Sequence, residues 1–144
     1  MVFMTAAHES KFSIPSETSR TLKIQEEVVA HLTARGFTER DVFCVRLALE
    51  EGLVNAIKHG NQSDANRQVH FEYCVTDELI TICIEDEGDG FRPELVPDPT
   101  LDENLDRPNG RGIMLMNSFM TSVEYEKGGR RLILTRSRSA TTSE

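Results

Sequence analysis

Between Ser16 and about Arg35 the apolar residues Leu22, Ile24, Val28, Val29 and Leu32 recur at three- and four-residue steps, the spacing of one helical face. Gly36 stands where such a helix usually stops. Thr38 followed by Asp41 reads as the cap of a second helix, which the pattern carries to about Gly60. Beyond it the period changes. QVHFEYCV and LITICIE are rich in β-branched and aromatic residues, and a short polar turn at Asp77 and Glu78 makes them a hairpin, with Val69, Phe71, Tyr73 and Val75 on one face. Residues 86 to 112 break all periodicity among acids, glycines and prolines, after which IMLMNSFM resumes a helical pattern. SVEYEK and RRLILTR, joined at Gly128-Gly129, form a second hairpin, and KFSIP adds a short early strand stopped by Pro15.

This order predicts an α/β two-layer sandwich: a mixed, mostly antiparallel sheet with helices on one face. The expected boundaries are a loose N-terminal segment at 1–10, a domain over 11–136 and a flexible tail at 137–144. A chain of 144 residues fits one domain of ordinary size. Twenty-four acidic against sixteen basic residues give a net charge of -8, which argues against nucleic acid or an anionic membrane as partner. Arg130, Arg131, Arg136 and Arg138 gather near the end, as a small basic face or a solvated tail. The three cysteines, Cys44, Cys74 and Cys83, suit reduced core residues better than a disulfide framework. His8, His31, His59 and His70 are scattered, with no CxxC or HExxH spacing to suggest zinc. No apolar run approaches the roughly 20 residues that span a bilayer, so the expected location is cytoplasmic.

Three clusters could carry chemistry. In LALEEGLVNAIKHGN (47–61), Glu51, Asn55 and Lys58 fall within about 60° on a helical wheel and form one polar stripe, while Arg46 and Glu50 form a second. Only one stripe can be given to bulk water. Asn55 is a poor mid-helix residue, because its side chain competes for backbone hydrogen bonds, so its place asks for a reason. In IEDEGDGF (84–91), Asp86 ends an apolar strand, and Gly88 and Gly90 remove side chains so that a flat ligand could approach the backbone. The calcium-loop spacing fails there, with Pro97 at the twelfth position from Asp86, which leaves an ordinary acidic turn as the competing reading. In PNGRGIMLMNSFM (108–120), Gly110, Arg111 and Gly112 lead into a helix whose free N–H groups and dipole suit phosphate, although a plain turn before a helix looks the same.

Taken together, ExxxNAxxHG, then DxGxG, then a loop ending in GRG before a helix resemble the GHKL-type ATP-binding domain (Bergerat fold) shared by DNA gyrase and sensor histidine kinases. The resemblance covers about residues 38 to 135, and NAIKHGN looks most like the anti-sigma-factor serine/threonine kinases of bacterial partner-switching systems. It implies ATP and Mg²⁺ as cofactors. Asn55 would hold Mg²⁺, Glu51 would be the general base toward a serine hydroxyl, and Lys58 would reach a phosphate. Asp86 would accept from the adenine amino group, with Gly88 and Gly90 beneath the purine. Gly110, Arg111 and Gly112 would close with a lid at 91–109 over the triphosphate, and Thr135 would lie near the adenine. The implied partners are a sigma factor and a STAS-domain anti-sigma antagonist that receives the phosphate. Family members commonly dimerise, so a homodimer is implied as well. With no room before Lys11 or after Arg138 for a phosphoacceptor hairpin or a second domain, a lone domain acting on a separate protein is expected. The competing reading is a nucleotide-responsive binding module of the same fold without phosphotransfer.

Overall fold

The computed structural model describes residues 6–88 and 116–140. Strand β1 (His8–Pro15) leads through a short 3-10 turn (Thr18–Arg20) into helix α1 (Thr21–Ala34), followed by helix α2 (Glu39–Val54) and a wider helical turn (Asn55–Gly60). Strands β2 (Gln68–Val75) and β3 (Leu79–Glu85) form the first hairpin, and β4 (Ser122–Glu126) and β5 (Arg131–Ser137) the second. The sheet runs β1-β2-β3-β5-β4, and each of its four pairings is antiparallel, so the mixed pairing allowed for by the sequence is not present among the described residues.

Local rules explain the elements. Gly36 has φ +82°, the left-handed geometry that ends α1. The Thr38 hydroxyl accepts from the Asp41 N–H while the Asp41 carboxylate accepts from the Thr38 N–H, a complete capping box for α2. The last hairpin turns through Gly128 at φ 68° and Gly129 at φ 95°. Val69, Phe71, Tyr73 and Val75 all face the core, with Ile80, Ile82, Ile84, Leu132 and Leu134 from the neighbouring strands. Against them pack Ile24, Val28 and Leu32 of α1 and Val45, Leu49 and Leu53 of α2. At Gly52, α2 lies so close to the sheet that a Cβ there would meet the Ile84 Cδ1 at 2.9 Å.

Some expectations are corrected. The first strand begins at His8, paired with Val75, three residues before the predicted KFSIP strand. The helix foreseen from Ser16 starts its α-helical part at Thr21, and Leu22 is 56% exposed rather than part of the buried stripe. Cys44 is buried, but Cys74 and Cys83 are half-buried on the face of the sheet away from the helices. Two of the four C-terminal arginines, Arg131 and Arg136, belong neither to a solvated tail nor to a free basic face. Arg131 pairs with Glu72 (3.1 Å), Glu85 (3.2 Å) and Glu126 (3.4 Å). Arg136 reaches the fully buried Asp41 at 2.9 Å, and Ser139 adds a backbone N–H (2.9 Å) and a hydroxyl (2.6 Å) to the same carboxylate. β5 itself ends at Ser137, and these contacts tie Ser139 to the start of α2. Among the described residues no helix is long and apolar enough to cross a membrane.

Candidate active site

The two polar stripes of α2 have separate fates. Arg46 and Glu50 are exposed, whereas Glu51 and Asn55, one turn apart, are half-buried. The Asn55 side chain adjoins the Glu51 carboxyl and favours its charged form, as an amide N–H turned toward it does. Burial pushes the Glu51 carboxyl above its ordinary value, the charge on Glu50 adds to this, and the Asn55 hydrogen bond and His59 partly oppose it. Tyr125 of β4 lies near enough for the Glu51 charge, with burial as the larger cause, to push its phenol to about 12. A carboxylate can only accept, so the Asn55 amide nitrogen faces Glu51 and its carbonyl oxygen is left over. That oxygen is a hard donor suited to Mg²⁺, which takes few protein ligands.

After Val54 the helix widens: the Asn61 N–H reaches the Ala56 carbonyl at 2.8 Å, and the Ser63 N–H reaches Ile57 at 2.8 Å. Such widened turns recur at functional sites. This one delivers Gly60 against the turn that follows β3. A Cβ on Gly60 would meet the Asp86 carboxylate at 2.3 Å, and a Cβ on Gly88 would meet the Gly60 carbonyl oxygen at 1.9 Å. Both positions require glycine for space, not for backbone angle. Asp86 is 8% exposed; its Oδ1 accepts from the Gly88 N–H at 2.8 Å and its own N–H donates to the Arg130 carbonyl at 3.0 Å. Burial raises its carboxyl above the ordinary range, against the pull of the Gly88 N–H and the Arg130 charge.

One helix thus carries the Glu51–Asn55 pair and, at its end, the seat of Asp86. Lys58 and His59 are exposed on the last turn. Gly90, Gly110, Arg111, Gly112 and the 91–109 segment lie outside the described residues. Thr135 is not brought to the site. It alternates with Leu132 and Leu134, which face the helices, and pairs with Thr81 and Ser122 on the opposite face, four positions along β5 from the Arg131 end where Asp86 emerges. Gly60, Asn61, Tyr125 and Arg130 adjoin the site without having been singled out as its residues. The first two stood inside NAIKHGN, and only their packing across the chain shows what they do.

Comparison with known proteins agrees with this architecture. Residues 14–136 match the family model of the histidine kinase-like ATPase domain. The serine-protein kinase RsbW of Staphylococcus aureus (strain NCTC 8325 / PS 47) is 27% identical over 133 residues, covering 85% of this chain and 82% of that protein. The serine-protein kinase RsbW of Bacillus subtilis (strain 168) is 26% identical over 99 residues, 63% of this chain and 61% of that protein.

Proposed function

This chain belongs to the histidine kinase-like ATPase domain family, with serine-protein kinases among its relatives, and from that premise we propose that it is a Mg-ATP-dependent protein serine/threonine kinase acting as an anti-sigma factor. It binds a sigma factor and phosphorylates a STAS-domain anti-sigma antagonist. The observation that carries this reading is the pairing of Glu51 with Asn55 on the same helix whose end seats the buried Asp86 carboxylate.

In the proposed reaction the partner's serine oxygen bonds to the γ-phosphorus, the bond from that phosphorus to the bridging oxygen of ADP breaks, and the hydroxyl proton passes to Glu51. The raised affinity of Glu51 for a proton suits that role. Asn55 would hold Mg²⁺ through its carbonyl oxygen; bound Mg²⁺ neutralises phosphate charge. Lys58 would add a positive charge at the phosphates, and Asp86 would accept from the adenine amino group. Gly88 and Gly90 would leave the backbone open to the purine. Gly110, Arg111 and Gly112 would close over the triphosphate. A pure binder has no need of a base, so Glu51 favours transfer over sequestration alone.

A single-turnover incubation with γ-labelled Mg-ATP and the STAS partner tests the reading. Label is expected on a partner serine or threonine. Absence of label at saturating Mg-ATP would leave only the binding module.

A further inference from the structure

Asn61 closes the widened turn of α2 and is completely buried, at 0% exposure. Its amide nitrogen donates to the Ser16 hydroxyl oxygen at 3.0 Å and to the Gln68 carbonyl at 2.9 Å, and its carbonyl oxygen accepts from the Glu87 N–H at 2.7 Å. Two donors meet oxygens and the acceptor meets an N–H, so the orientation of the amide is determined. Ser16 in turn donates to the Arg67 carbonyl at 2.7 Å. One side chain therefore joins the β1–α1 junction, the start of β2 and the turn after β3. Glu87, held at its N–H by Asn61, is also held at its carboxylate by the Gln68 N–H (2.9 Å) and by His70 (2.8 Å).

The residue so fixed lies between Asp86 and Gly88, the two that pack on Gly60. We propose that Asn61 is a positioning residue that sets the place of the Asp86 carboxylate through the Glu87 N–H and thereby sets the preference for an adenine nucleotide. The inference rests on the nucleotide-site reading above and deepens it. Asn61 touches no ligand; it acts through the turn. A buried amide with all three of its hydrogen bonds made is costly to remove, because the Glu87 N–H, the Gln68 carbonyl and the Ser16 hydroxyl each lose one partner.

The test compares Mg-ATP and Mg-GTP binding by calorimetry in the full chain, at a temperature where each variant is folded. Asn61→Ala is expected to weaken Mg-ATP about tenfold, as the loss of a buried hydrogen bond implies, while Mg-GTP changes little, so the preference for ATP falls. Asn61→Ser, too short to reach the Glu87 N–H, carries the same expectation if the alanine variant does not fold. Asn61→Asp keeps an acceptor for that N–H and should hold the preference within about threefold of wild type despite lower stability. Tyr73→Phe loses only the remote 2.7 Å hydrogen bond to Glu27 and controls for general loosening. Unchanged preference in Asn61→Ala and Asn61→Ser, or equal loss for ATP and GTP in them, overturns the inference, as does full loss of preference in Asn61→Asp. A wild-type chain that bound no Mg-ATP would overturn the underlying reading itself.

Discussion

Glu51 stands half in the core, and its environment makes two consequences separable. The proposed transfer needs the carboxylate, and burial raises its proton affinity above the ordinary glutamate value of 4.5, so the rate should fall on acidification with a midpoint above that value. The pH dependence of single-turnover transfer at saturating Mg-ATP checks this. For stability the sign is opposite to the usual carboxylate case. The folded state holds this proton more tightly than the unfolded chain, so ionisation costs stability as pH rises between the two values. Glu51→Gln should then unfold no earlier than wild type at pH 7, by urea titration. Asp86→Asn presents an amide where the adenine amino group would meet a carboxylate and should weaken Mg-ATP by about tenfold, read by calorimetry. Gly60→Ala forces a Cβ to 2.3 Å from that carboxylate and should cost Mg-ATP affinity at least as much.

Among the elements, the start of α2 has the most to lose. Asp41 caps the helix, binds Arg136 and receives Ser139, which fastens the end of β5 to the start of α2. Arg136 also donates to the Phe119 carbonyl, so the helical turn at 116–119 shares the clasp. Burial alone would raise the Asp41 carboxyl, but the hydrogen bonds from Ser139, Thr38 and Arg136 hold it down at about 2. A depressed carboxyl stabilises the fold above its unfolded value of 3.8 and loses that contribution as pH falls toward about 2. Acid unfolding should therefore steepen in that window. Asp41→Asn should flatten it and lose about 3 kcal/mol at pH 7, since Arg136 is left without its carboxylate. Half of this clasp was legible: Thr38 and Asp41 are three residues apart, and a capping box is a local rule. The other half joins residues 95 positions apart, and no periodicity links Arg136 to Asp41.

For the whole molecule, the two-layer architecture was legible because each strand and helix buries one face, and the periods of two and 3.6 say which residues do so. The Glu51–Asn55 stripe was legible as a stripe, but whether it or Arg46–Glu50 met water depended on where the sheet lies. Thr135 shows the limit. The resemblance implied Thr135 near the adenine, whereas strand parity sets it on the face of the sheet away from the helices, and parity follows from register with β3 and β4. Asn61 was invisible for the opposite reason: two of its three polar partners, Ser16 and Glu87, stand 45 and 26 residues away, and a buried amide reads in sequence as an ordinary loop residue. The arrangement that results puts a candidate base, Glu51, on the helix whose end packs against Asp86, the carboxylate proposed to meet the adenine, and in that proposal the base is the part that distinguishes a kinase from a binder.

The most direct test of that claim is the single-turnover rate of γ-phosphate transfer to the STAS partner by Glu51→Gln, with Mg-ATP affinity measured on the same preparation. The account predicts a fall of at least about 100-fold in rate with affinity held within a few fold, as expected on removing a general base. Transfer at the wild-type rate by Glu51→Gln would contradict it.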